Sequence, residues 1–327
     1  MARTRAGRLP GAAGKARIAE AGYWRLGDID QWVMVRGLNA DNPLLILLHG
    51  GPGSSETALF RSYCAAVEDA YVVVYWDQRG AGRSYRRSVP PASMTIDRFV
   101  ADLDELIEGL TARYDKRRVV LCGHSWGSLL GVRYVSRFPD KVAAYVGIGQ
   151  VADMAASEAA SYAFALKTAR DRGRRKAIKQ LLEIGAPPHT IKSLGIQRRW
   201  LMALGGAFGP NVSLPELIWR SMTSPESSVL DLVRLLRGSR LSVKLLWREL
   251  LETNLLREVP RLETPVIFML GRLDMQVVAS VSAAYFEALE APHKELIWFE
   301  ASGHMPPFEE PELFIRSMIA TVRPFAC

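Results

Sequence analysis

Four short runs of this sequence are almost wholly apolar: Leu44–Leu48, 71–76, 118–122 and Val142–Ile148. They are rich in Val, Ile and Leu, and their length suits strands of a parallel sheet covered on both faces. Helical patterns lie between several of them. In residues 95–114 the apolar positions Ile96, Phe99, Val100, Leu103, Leu106, Ile107 and Leu110 recur at intervals of three and four. Residues 128–138 form a second such pattern, closed by Pro139. Strands that alternate with helices imply βαβ units and a mostly parallel sheet with helices on both faces. Residues 22–26 and 31–35 read as an opening hairpin.

The pattern changes near residue 152. From there to about 257 no clear strand appears, and helices are expected at 155–172, 174–184, 191–204, 215–223, 228–236 and 242–254. Strand signals return at 266–270 and 295–299, with helices at 281–289 and 311–322. At about 150 residues per domain, 327 residues suit two domains or one large domain with an insertion. The expected organisation is a basic, disordered tail (1–19), the first part of an α/β core (20–151), an inserted all-helical cap (152–257) and the rest of the core (258–327).

The net charge of +8 is mostly local. Residues 1–19 carry Arg3, Arg5, Arg8, Lys15 and Arg17 and no acid, which leaves 37 basic against 34 acidic residues elsewhere. A basic fringe on a near-neutral body does not argue for a nucleic-acid surface. No apolar run approaches the ~18 residues of a membrane span, and no apolar stretch follows the N-terminal charges as a secretory signal would require. The three cysteines, Cys64, Cys122 and Cys327, form neither a disulfide framework nor a metal-ligand spacing. The expectation is a cytoplasmic protein with no cofactor, no metal and no membrane or nucleic-acid partner. Its oligomeric state is not legible.

The chemistry is carried by residues that follow strands. Gly123-His124-Ser125-Trp126-Gly127 fits G-x-S-x-G between an expected strand and an expected helix, the context of a nucleophile elbow. The glycines leave room for a sharp turn that projects Ser125 off the sheet edge. His49-Gly50-Gly51-Pro52-Gly53 directly follows Leu44–Leu48. Such a loop brings a backbone N–H to a reacting carbonyl, and Gly51 with Trp126 would form an oxyanion hole, each donor worth ~3 kcal/mol. A serine nucleophile needs a base and the base needs an orienting acid. In an open parallel sheet, ligands bind at the carboxyl ends of the strands. Of the five histidines, His304 follows the strand at 295–299, His293 precedes it, His189 lies in the helical insertion, and His49 reads as structural. Asp274 follows the strand at 266–270, with Asp153 as the runner-up acid and Asp77 as an anchor of its own loop.

These segments, with Asp77-Gln78-Arg79-Gly80-Ala81-Gly82-Arg83-Ser84, Gly271–Asp274 and Ser302-Gly303-His304, resemble the proline iminopeptidase branch of the α/β-hydrolase superfamily. The likeness spans roughly residues 20–325 and is strongest outside the helical insertion. It implies an α/β-hydrolase fold with a helical cap, and a serine hydrolase that releases an N-terminal residue, often proline, from small peptides. By the same likeness Ser125 is the nucleophile, Asp274 and His304 complete the triad, and Gly51 and Trp126 supply the oxyanion hole. In that family, cap glutamates hold the substrate's free amine, one of them in a Trp-Glu pair. This sequence has no Trp-Glu. Glu183, Glu216 and Glu249 are the cap acids offered for that role, with Gly50, Trp200 and Trp219 as further substrate-binding candidates. Tyr162, Phe164, Phe208 and Trp247 complete the insertion's aromatics, most of which are expected to pack. The cluster of Arg170, Arg172, Arg174, Arg175 and Lys176 reads as a solvated face. A carboxylesterase acting on a small ester, and a non-hydrolytic ligand-binding or acyl-transfer protein, remain the alternatives.

Overall fold

The computed structural model describes residues 17–326. Eight strands form one sheet: β1 (Ile18–Leu26), β2 (Ile29–Gly37), β3 (Leu44–Leu48), β4 (Val72–Asp77), β5 (Val119–His124), β6 (Val142–Ile148), β7 (Val266–Gly271) and β8 (Lys294–Phe299). Their spatial order is β1-β2-β4-β3-β5-β6-β7-β8. β2 pairs antiparallel with β1 and with β4, and every later pair is parallel. The order reverses where β4 gives way to β3 and β5, the switch point at which open α/β sheets place ligands.

The apolar strands alternate between two cores, as a period of two requires. Val72, Val74 and Trp76 enter one cluster, while Val73 and Tyr75 enter the other. On the first face lie α2 (Ile96–Tyr114), α3 (Trp126–Arg137) and, further along the chain, α10 (Ala279–Ala288). On the second lie α1 (Thr57–Tyr63) and α12 (Pro311–Ser317), preceded by the short α11 (Pro306–Glu309). The apolar stripe expected on 95–114 is buried without exception, from Ile96 to Leu110, and Thr95 caps the helix by accepting the Arg98 N–H at 3.2 Å.

Between β6 and β7 the described chain contains helices only: α4 (Met154–Asp171), α5 (Arg175–Ile184), α6 (Ile191–Ala203), α7 (Leu214–Thr223), α8 (Val229–Leu251) and the one-turn α9 (Leu255–Glu258). α4, α5 and α6 share a small core of their own around Tyr162, Ala165, Leu181 and Leu201.

Two expectations are corrected. The segment given as a tail, 1–19, ends in strand, because β1 begins at Ile18, while residues 1–16 lie outside the described residues. The helices expected at 228–236 and 242–254 are one helix, α8. Gly238, in the gap left between those two stretches, marks a close approach. A Cβ there would stand 2.6 Å from the Gly80 carbonyl oxygen, so α8 can lie against the loop after β4 only at glycine.

Candidate active site

β5 ends at His124 and α3 begins at Trp126, so Ser125 occupies the turn alone, with φ 53° and ψ −119°. A non-glycine residue held there stores of order 1–3 kcal/mol of strain, which the surroundings must over-determine. They do so by close backbone packing. A Cβ on Gly127 would stand 1.9 Å from the Leu48 carbonyl oxygen, and one on Gly123 would stand 2.3 Å from the Gly127 carbonyl oxygen. The Ser125 N–H donates to the Ile148 carbonyl at 2.9 Å. Ser128 Oγ donates to the Ser125 carbonyl at 2.6 Å and accepts the Val151 N–H at 2.9 Å, which ties the turn to the end of β6.

β7 and β8 deliver Asp274 and His304 to the same edge. Asp274 and His304 are 1% and 3% exposed, and His304 Nδ1 lies 2.7 Å from Asp274 Oδ2. The other carboxylate oxygen accepts the backbone N–H groups of Gln276 (2.8 Å) and Val277 (3.0 Å). An ionised carboxylate only accepts, so the proton of this pair sits on His304 Nδ1 and the lone pair on Nε2. Nε2 is buried and has no hydrogen-bond partner among the described residues. Gly149 packs against the ring, its absent Cβ 3.1 Å from both Nδ1 and Cε1. The His304 N–H donates to the Ala207 carbonyl at 2.8 Å. Asp153, the alternative acid, caps α4 through the Ala156 N–H at 2.9 Å and holds Asn254 at 2.7 Å.

The loop 49–55 faces this edge. His49 Nε2 accepts the Gln78 N–H at 3.1 Å, so its proton is on Nδ1, which donates to the Gly50 carbonyl at 2.9 Å. Burial lowers the His49 pKa and keeps the ring neutral. Gln78 also accepts the indole N–H of Trp126 at 2.9 Å. Asp77 accepts the Arg83 N–H at 2.7 Å and the hydroxyl of Ser55, which fastens its own loop to the glycine loop. Gly51 has φ +120°, a conformation that favours glycine. Trp126 is the first residue of α3, where an N–H has no partner within the helix.

Behind Ser125 lies a pair that the sequence reading missed. Glu56 Oε1 is 2.7 Å from His124 Nδ1, and His124 Nε2 is 2.7 Å from the His304 carbonyl oxygen. All three are buried. A carbonyl only accepts, so Nε2 carries a proton, and a second proton lies between Nδ1 and Glu56. Burial opposes the charged ring, but the Glu56 carboxylate and the His304 carbonyl outweigh it, and the His124 pKa is raised above its ordinary 6.5. Burial pushes the thiols of Cys64 and Cys122 up, so neither is a thiolate nucleophile at neutral pH.

A cavity of about 280 Å³ joins these groups. Gly51, Glu56, His124, Ser125, Trp126 and His304 line it from the core. Leu194 and Arg198 of α6, and Ser239, Val243, Trp247 and Leu250 of α8, line it from the helical segment. Arg198 is ion-paired with Glu158, which is 1% exposed. Gly50 stands beside Ser125: a Cβ there would be 3.3 Å from the serine Cβ. The insertion candidates lie elsewhere. Glu183 is exposed and faces Lys179 at 3.8 Å. Glu216 accepts the Tyr63 hydroxyl at 3.1 Å. Glu249 accepts the Ile96 N–H at 3.2 Å and so caps α2. Trp200 packs with α4 and α5 and donates to Gln180 at 2.9 Å, and Trp219 is 65% exposed. Of the insertion aromatics named from the sequence, Trp247 reaches the cavity. The Arg170–Lys176 cluster is exposed throughout. Among the described residues no group of three or more His, Cys, Asp or Glu is arranged to hold a metal ion.

The model of one family, described as the alpha/beta hydrolase family, matches residues 45–317. The chain belongs to the alpha/beta hydrolase family. Within it, a probable aminopeptidase, YbaC, of Bacillus subtilis is 34% identical over 308 residues, 93% of this chain and 96% of that protein. A proline iminopeptidase of Neisseria gonorrhoeae is 32% identical over 122 residues, 37% of each chain. The solved proline iminopeptidase of Mycobacterium smegmatis superposes with a TM-score of 0.70 at 18% identity, over 94% of this chain and 99% of that one. That last likeness is one of fold.

Proposed function

We propose that this hydrolase is a serine peptidase that releases the N-terminal residue of a small peptide or amide through an acyl-enzyme. One observation carries the reading: a buried imidazole with Nδ1 held by a carboxylate and Nε2 unpartnered lines the same cavity as a serine in a strained elbow. In this reading His304 Nε2 takes the Ser125 proton as Oγ attacks the carbonyl. Asp274 fixes the ring and stabilises the imidazolium that forms. The N–H groups of Gly51 and Trp126 receive the negative oxygen. His304 then protonates the leaving amine and activates the water that releases the acyl group. The helical segment acts as a cap, and a cavity of about 280 Å³ beneath it fits one or two amino-acid residues and not a folded protein. The likeness to the B. subtilis probable aminopeptidase along most of both chains supports a peptide substrate. The apolar part of the lining, including Leu194, Val243 and Trp247, also fits the acyl group of a small ester.

A two-panel assay tests this. Prolyl, alanyl and leucyl anilides with free or acetylated amines form one panel, and short nitrophenyl esters form the other. Free-amine anilides are expected to turn over, acetylated ones to fail, and Ser125→Ala to abolish both turnover and labelling by a fluorophosphonate. Turnover of esters alone would remove the peptidase reading. Undiminished activity in Ser125→Ala would remove the site.

A further inference from the structure

A peptidase specific for a free N-terminus must hold an ammonium beside the reacting carbonyl, and the three acids offered from the insertion lie outside the cavity. Among the described residues one carboxylate both lines the cavity and keeps an oxygen without a partner. Asp274 has both oxygens taken by His304 and two backbone N–H groups. Glu158, paired with Arg198, also keeps a buried Oε2 without a partner among the described residues, but it does not line the cavity. Glu56 lines it, is 5% exposed, and uses only Oε1, on His124; Oε2 has no hydrogen-bond partner among the described residues. A buried carboxylate oxygen left without a donor is costly, and a charged donor satisfies it best.

The placement suits an α-amino group. Glu56 Oε1 and Ser125 Cβ both lie within 3.3 Å of one point, the place where a Cβ on Gly50 would stand. In an N-terminal residue the amine is two bonds from the carbonyl carbon that Ser125 would attack. An ammonium in reach of Glu56 therefore leaves that carbon in reach of the serine. The absent side chain at Gly50 leaves the space between them open. We infer that Glu56 is the anionic subsite of this enzyme and that it binds the protonated α-amine of an aminoacyl substrate through Oε2. This rests on the peptidase reading above. His124, on the other oxygen, Oε1, fixes the carboxylate, so that His124, Glu56 and the ammonium form a row of alternating charge. The same carboxylate turns away an acetylated amine, which has no charge and only one hydrogen to give.

The test compares Glu56→Gln with wild type on free-amine and acetylated alanyl anilides and on nitrophenyl butyrate. Fluorophosphonate labelling of Ser125 supplies the active-site concentration of each preparation. The ratio of kcat/KM for the free-amine anilide to that for the ester is expected to fall roughly 10- to 100-fold in Glu56→Gln, through KM, as for the loss of a charged hydrogen bond. A ratio equal to that of wild type overturns the assignment while leaving the peptidase reading intact. A wild-type enzyme without a free-amine preference overturns both. A second measurement needs no variant: propylammonium is expected to compete with the ester in the wild-type enzyme at least 10-fold better than propanol does. Equal competition by the two overturns the assignment.

Discussion

Gly271→Ala probes whether the loop carrying His304 is positioned by backbone packing against the end of β7. Gly271 is the last residue of that strand and faces Phe299 across the ladder. A Cβ there would stand 1.8 Å from the Gly303 carbonyl oxygen and 2.7 Å from that of Ser302. Real Cβ atoms essentially never approach closer than 3.0 Å, so the 302–304 segment must retreat by more than an ångström. His304 is the next residue, and Asp274 lies three residues from the substitution, so Nδ1 and Oδ2 cannot keep their 2.7 Å contact unchanged. A displacement of about 1 Å costs on the order of 100-fold in rate. Overpacking of this kind costs roughly 1–3 kcal/mol of stability, which leaves a domain of this size folded at room temperature. The assay is the rate of Ser125 phosphonylation and of ester turnover, read beside the melting temperature. The expected result is a fall of about 100-fold in both rates with a loss of several degrees. A variant that melts lower yet labels at the wild-type rate would refute the coupling between β7 and His304.

Two further outcomes follow from buried charge. Asp102, fully buried, receives two hydrogen bonds from Arg79 (2.8 and 2.9 Å) and one from Arg98 (2.9 Å), so Asp102→Asn is expected to cost ~3–5 kcal/mol in urea unfolding by leaving Arg79 in the interior without its carboxylate; a loss below 1 kcal/mol would refute this. The raised pKa of His124 means that the folded state holds its proton more tightly, a stabilisation complete below about pH 6.5 and lost as pH rises through the raised value, so Glu56→Gln should lower the melting temperature more at pH 6 than at pH 9, and equal losses would contradict the pairing.

The fold was legible because its signals are local and periodic. The short apolar runs could be placed in a two-sided sheet without knowing their neighbours, and each forms the core of an observed strand. The 95–114 stripe announced both a helix and its buried face. Ser125, Asp274 and His304 could be nominated because each follows a strand, and the chain brings all strand ends of one direction to one edge. The insertion gave no such rule. Its helices were found, but a helix can turn any of several faces to the core, and the sequence does not say which. Glu249 and Trp247 are two residues apart on α8; the indole reaches the cavity and the carboxylate caps α2 on the other side. The gap expected within α8, around Gly238, failed for a related reason. The glycine answers to Gly80, far away in sequence, and not to the local helix.

Glu56 shows what a sequence signal of the missing kind looks like. It is a lone acid three residues past Gly53, in a loop whose other residues are mostly small, and next to it in space is His124, one of the two variable positions of the elbow motif. A histidine at that position is enclosed by β5, α3 and the His304 loop, and its two ring nitrogens need partners there. One is the His304 carbonyl and the other is Glu56, at the end of the glycine loop. A carboxylate thus stands beside Ser125, whatever the helices above contribute. The acid that selects the substrate then comes from the core and not from the cap, and the cap is free to vary its faces without loss of the amine subsite.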